Sequence, residues 1–288
     1  MIIVRIKGGL GNQLFQYAAG YALAQRLQQP LRFNAAFTSN MTQRGYKLPF
    51  LNVESDGTIQ DAELPDEVNI VKNKYINKAL RIVGVSKIGF PNGLYWLEAQ
   101  EKFLPEFFTI QADTLYVDGY FQSPKYFDIH REKLLKAITP NYDEEQACLR
   151  ELNEIRINTS IAVHVRRSDF KKDNNKFHYL LDEKYYCRAV RYMREHVQNP
   201  TFFWFSDDMN WVKENIGNAD DFRFVNIKTN HGDVDDMMLM KNCNHIITAN
   251  STFSWWAAWL NEHEDAIRVV PARQYGQSEM IPDTWIKR

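Results

Sequence analysis

Two adjacent arginines, Arg166 and Arg167, follow a short apolar run from Ile161 to Val165 and stand beside His164 and Asp169. A guanidinium presents a planar fork of donors that suits a diphosphate. At the end of a buried strand, two such charges are costly unless something anionic meets them. Alternation along a strand puts His164 and Arg166 on one face and Arg167 on the other. Asp169 is placed to hold either arginine. The plainer reading is one structural Arg–Asp pair and one surface arginine.

Three further stretches carry chemistry-bearing residues. Asn250-Ser251-Thr252-Phe253-Ser254-Trp255-Trp256 joins an apolar run to a helical pattern, so its hydroxyls and free backbone N–H groups form a natural phosphate seat. Simple capping by Ser251 or Thr252, with both tryptophans in the core, explains the same residues. Gly8-Gly9-Leu10-Gly11-Asn12-Gln13 lets backbone approach a ligand closely. It is not a dinucleotide fingerprint, because the third glycine position holds Leu14 and the next strand ends in Asn34 rather than an acid. Ser206-Asp207-Asp208 offers oxygen ligands for Mg²⁺ or Mn²⁺, hydrogen-bond acceptors for a sugar or base, or a helix cap. Asp233, Asp235 and Asp236 precede another helix, where one caps and one reads a ligand. The remaining histidines, His130, His178, His196, His231, His245 and His263, show no ligand spacing.

These residues need strands and helices to hold them. Ile2 to Ile6 reads as a strand, Gln13 to Gln28 as a helix and Leu31 to Phe33 as a second strand, a unit that implies a parallel sheet. From about 34 to 113, turn residues recur, which predicts loops and short helices. Leu115 to Tyr120 reads as a strand ending in a turn, and Asp143 to Asn153 as a polar helix. Strand candidates then begin at Ile161, Thr201, Phe222, His245 and Ile267. They alternate with helices over 183–197, 209–215, 235–241 and 254–261. Such alternation predicts a doubly wound α/β domain whose ligands lie at the carboxyl ends of strands. The polar segment near 141–159 is the natural join, giving domains 1–155 and 156–288.

Composition narrows the function classes. The 288 residues are 44% hydrophobic and 25% charged with a net charge of −1, so a sizeable core forms and no general basic field holds nucleic acid. Three scattered cysteines make a disulfide framework or a cysteine zinc site improbable, and a reducing, cytoplasmic setting fits. No run approaches the roughly 20 apolar residues of a transmembrane segment; peripheral contact with a membrane surface stays open. Aromatics reach 14%, which serves either a large core or sugar-stacking surfaces, the core having the stronger prior.

Taken together, five stretches resemble glycosyltransferase family 11, the bacterial-type α-1,2-fucosyltransferases. They are the segment from Gly8 to Ala18, Gly119-Tyr120-Phe121-Gln122-Ser123, His164 to Asp169, Phe205 to Asp208, and Asn250 to Ala258, in the family's order. The resemblance implies a GT-B-like α/β fold, two Rossmann-like domains facing across a cleft. The first domain would serve the acceptor and the second the nucleotide sugar. It implies inverting transfer of L-fucose from GDP-β-L-fucose to the 2-hydroxyl of a β-galactoside-containing glycan acceptor, with no metal or other cofactor. Arg166 would grip the diphosphate and act as the catalytic residue. Donor binding would fall to His164 near guanine, Arg167, Asp169, the base-reading Asp236, the phosphate-seating Ser251, Thr252 and Phe253, and Gly11 and Asn12 approaching from the other domain. No general base is assigned. The alternatives are a transferase of the same architecture using another sugar nucleotide, a non-catalytic carbohydrate-binding protein, and a nucleotide-dependent oxidoreductase, which the missing third glycine disfavours.

Overall fold

The computed structural model describes residues 1–39, 45–100, 102–167, 179–272 and 278–288. Its packing divides the chain into two units, Met1–Asn141 and Tyr142–Arg288.

In the first unit, β1 (Ile2–Arg5), α1 (Leu10–Leu27) and β2 (Leu31–Asn34) form the expected parallel unit. The helix starts earlier than its apolar periodicity, so Gly11 and Asn12 sit in its first turn rather than in a loop. Two glycines explain how α1 is seated. Gly8 adopts φ +82, the left-handed turn between strand and helix. Gly20 lies so close to β1 that a Cβ there would stand 2.4 Å from the Val4 side chain. After the short α2 (Ala36–Ser39) come α3 (Asp66–Lys72), α4 (Lys74–Ile82), β3 (Lys87–Phe90), β4 (Gly93–Leu97), β5 (Thr114–Asp118) and α5 (Arg131–Ala137). The segment read as loops therefore contains a hairpin, turned by Pro91 and by Asn92 at φ +62. The sheet order is β2-β1-β5-β4-β3, parallel except for β3.

The second unit opens with α6 (Gln146–Ile157), then β6 (Thr159–Val165), α7 (Glu183–His196), β7 (Pro200–Ser206), α8 (Met209–Asn215), β8 (Phe222–Phe224), α9 (Asp233–Lys241), β9 (His245–Ile247), α10 (Thr252–Leu260), β10 (Arg268–Val270) and β11 (Ile286–Lys287). Because α6 packs against β6 and α9, the boundary falls at Asn141/Tyr142 and not after residue 155. The six strands are parallel in the order β11-β10-β9-β6-β7-β8. The two-residue β11 was not foreseen.

The cores follow from composition. Every tryptophan except Trp211 is buried, so these rings build the interior. Four of them, Trp255, Trp256, Trp259 and Trp285, meet at the inner face of α10. Truncating Trp255, which also donates Nε1–H to the Met280 carbonyl at 2.7 Å, would cost about 3–5 kcal/mol.

Candidate functional site

Open parallel sheets bind ligands where the strand order reverses, outside the carboxyl ends. In the second unit the chain builds β6, β7 and β8 outward, then returns to lay β9 on the other side of β6. The reversal lies between β6 and β9. Residues 164–167 end β6, and residues 248–252 follow β9, so the two strongest sequence motifs share that point. His164, 4% exposed, meets Phe253 with ring centres 5.2 Å apart.

The two arginines differ in surroundings. Arg166 is half-buried and lies 3.2 Å from the Asp207 carboxylate. Asp207 also accepts the Arg167 backbone N–H at 2.8 Å. The Arg167 guanidinium instead stacks 3.8 Å from the Trp211 ring, with Asp208 at 3.8 Å and the Leu181 carbonyl at 3.4 Å. Arg167, expected to bind donor, is built into the α8 packing. Asp208 caps α8 by accepting the Trp211 N–H at 3.2 Å, the plain role considered for it. Asp169, Ser168 and His178 lie outside the described residues.

Ser251 caps α10, its Oγ accepting the Phe253 N–H at 3.3 Å, and Thr252 begins the helix. Capping and an anion seat are compatible, because later first-turn N–H groups still face outward. Two buried polar atoms at this junction have no hydrogen-bond partner among the described residues: Thr248 Oγ1 and Asn250 Oδ1. The Asn250 amide is fixed from its other end, donating to the Tyr179 carbonyl at 2.8 Å. A buried oxygen left unpaired costs about 1–3 kcal/mol, so each calls for a donor from water or from a ligand.

Asp236 lies in the first turn of α9 beside Asp233 and Asp235. Burial, then these two neighbours, raises its carboxyl to about 7. Helices of such a sheet start from its carboxyl edge, which puts the starts of α9 and α10 on the same side. Asp235 is buried and accepts the Tyr142 hydroxyl at 2.6 Å, and Tyr142 stacks on His231 at 3.5 Å. Ligand atoms of Glu145, His231 and Asp235 converge within 4.8 Å of one another, a grouping that spacing in the sequence does not reveal.

The first unit has its own reversal, between β1 and β5. Asn12 stands there, and the Gln122 side chain donates to its Oδ1 at 2.9 Å. Two buried glutamines clamp the glycine turn: Gln16 exchanges bonds with the Lys7 backbone at 2.9 and 3.1 Å, and Gln13 donates to the Gly8 carbonyl at 2.9 Å. Sequence reasoning missed the charges beneath. Asp118 is fully buried, 2.7 Å from Arg5 and 2.5 Å from Lys7, and accepts the Tyr95 hydroxyl at 2.6 Å. Burial alone would raise its carboxyl, but Lys7 and Arg5 outweigh burial and hold it far below the usual range. Glu98, also buried, accepts the backbone N–H of Tyr120 at 2.6 Å and of Phe121 at 3.1 Å. Burial dominates there and raises the carboxyl to about 7. A lone carboxylate ending an apolar strand, with lysine just past a neighbouring strand, was the available signal for the Asp118 cluster.

Residues 1–285 match glycosyl transferase family 11. The chain belongs to that family. Among its members, the α-1,2-colitosyltransferase of Escherichia coli is 31% identical over 303 residues, covering 100% of this chain and 98% of that protein. A galactoside 2-α-L-fucosyltransferase of Caenorhabditis elegans is 26% identical over 310 residues, covering 100% and 79%. In fold, the chain is similar to the NodZ α-1,6-fucosyltransferase soaked with GDP-fucose, with TM-score 0.53 and 15% identity over 90% of this chain and 91% of that one. A glycosyltransferase of family 11 with a GT-B-like α/β fold is therefore the frame in which the strand-end residues act. Among the described residues, no helix is long and apolar enough to cross a membrane.

Proposed function

We propose that this family 11 enzyme moves L-fucose from GDP-β-L-fucose to the 2-hydroxyl of a terminal β-galactoside, inverting the anomeric centre to give an α-1,2 linkage. The observation that carries the reading is the strand reversal between β6 and β9. There the half-buried Arg166, the start of α10 and the unpaired oxygens of Thr248 and Asn250 gather beside His164.

Transfer needs the acceptor hydroxyl to attack opposite the departing GDP. The sugar gains oxocarbenium character while negative charge grows on the β-phosphate. Arg166 is assigned to that charge, exchanging Asp207 for the diphosphate when donor binds, and the N–H groups that start α10 share it. Preorganised donors of this kind are worth about 3–4 kcal/mol each. Ser251, Thr252 and Phe253 are assigned to the phosphates, and His164 and Asp236 to the guanine. Arg167 keeps the strand end in shape through Trp211. The acceptor's proton has no assigned recipient. No metal is assigned a part in this scheme, and Asp208 serves as the cap of α8.

A colitosyl donor is the second reading, favoured by the 31% identical relative. Colitose is fucose without its 3-hydroxyl. A site that hydrogen-bonds this hydroxyl rejects the deoxy sugar by roughly 10⁴-fold, whereas an apolar contact there does not. The experiment is transfer from GDP-fucose to a β-galactoside in EDTA, with the linkage read by NMR. An α-1,2-fucosyl product supports the proposal. Turnover only with the colitosyl donor replaces the sugar, and activity lost to EDTA and restored by Mn²⁺ redirects attention to Glu145, His231 and Asp235.

A further inference from the structure

Helix α4 is turned inside out relative to an ordinary surface helix. Its polar residues Asn77 and Arg81 face inward. Asn77 donates to the buried Asp118 at 3.0 Å, while Arg81 donates from Nε to Asn77 Oδ1 at 3.0 Å and from its terminal nitrogen to the Glu98 carbonyl. Of its apolar residues only Leu80 packs on the core; the others face solvent, Tyr75 71% exposed, Ile82 75% and Val83, just past the helix, 71%, with Ile76 and Ala79 exposed among them. Spacings of three and four residues stack these side chains into one surface.

Single exposed apolar residues need no explanation, but a contiguous set rimmed by charge of one sign does. Lys74 and Lys78 of the same helix are exposed beside this set. No Asp or Glu occurs between Glu67 and Glu98 in the sequence. The carboxylates of Asp118 and Glu98 beneath the helix are buried, and the nearest acids in the chain, Asp66 and Glu67, belong to the first turn of α3. A second copy docking through a two-fold axis would set lysine against lysine. An apolar layer under anionic headgroups satisfies both features at once.

We propose that the α4 face docks on an anionic lipid bilayer, with Tyr75, Ile82 and Val83 entering the headgroup boundary and Lys74 and Lys78 meeting the headgroups. The proposal stands apart from the choice of sugar. Its test is co-sedimentation of the full chain with vesicles of phosphatidylcholine alone or mixed with phosphatidylglycerol. Binding is expected only to the mixed vesicles, weakening as salt is raised. Each lysine contributes roughly fivefold to partition, so the Lys74→Glu/Lys78→Glu variant should lose at least about tenfold. The Tyr75→Ser/Ile82→Ser/Val83→Ser variant should also detach. Both should keep the wild-type circular dichroism, because the altered side chains are exposed. Failure of the wild type to bind mixed vesicles, or wild-type binding by either variant, overturns the proposal. A dimer in sedimentation equilibrium that only the apolar variant dissociates would also overturn it, assigning the face to a second copy.

Discussion

The guanidinium of Arg166 lies 3.2 Å from the carboxylate of Asp207, and the same carboxylate accepts the N–H of Arg167 at 2.8 Å. One acid thus fixes both the backbone of the strand end and the neighbouring guanidinium.

Arg166→Ala is expected to lower kcat roughly a hundredfold to a thousandfold with the melting temperature nearly unchanged. Arg166→Lys should recover little, because an ammonium cannot reproduce the planar fork. Steady-state kinetics beside thermal melting check this; near-normal turnover of the alanine variant would remove Arg166 from the mechanism.

Arg167→Ala should act in the opposite manner. Its guanidinium stacks on Trp211, so its loss should cost about 1–3 kcal/mol of stability. Urea unfolding of the two single variants separates the neighbours: Arg167 should move the midpoint and Arg166 should not.

Asp236 predicts a pH dependence. Burial, then Asp233 and Asp235, raises its folded-state carboxyl to about 7, above the unfolded value, so the folded state holds the proton more tightly. Its contribution to stability is fully present below the unfolded value and is lost as pH rises through about 7. Asp236→Asn should therefore stabilise the donor-free protein at pH 8, by up to about 4 kcal/mol, and hardly at all near pH 4. Melting curves of both proteins across this range test the sign. Glu98 titrates in the same window through burial, so the difference between the two proteins is the informative quantity.

Asp118→Asn should destabilise the first unit by about 3–5 kcal/mol, because Arg5 and Lys7 would remain buried without their counter-charge. A fall in the urea midpoint checks it; an unchanged midpoint would mean that water already screens the cluster.

Much of the second unit was legible because buried parallel strands read as continuous apolar runs between helical patterns. Helix α8 falls on the predicted residues 209–215. Strand β11 was invisible, since two residues carry no period. The hairpin of β3 and β4 was read as loops because β3 is a half-exposed edge strand with a glycine at its centre. Helix α4 hid for another reason: its polar residues serve a buried carboxylate, so periodicity points the wrong face inward. The strand-end motifs were visible one at a time. That residues 164–167 and 248–252 share one strand reversal depends on sheet order, which no single stretch encodes.

The most direct test of the central claim is calorimetric titration of the purified protein with GDP, ADP and UDP in EDTA. Binding that prefers GDP, and that Arg166→Ala weakens, is the predicted result. Equal affinity for the three nucleotides, or GDP binding that is indifferent to Arg166, would contradict it.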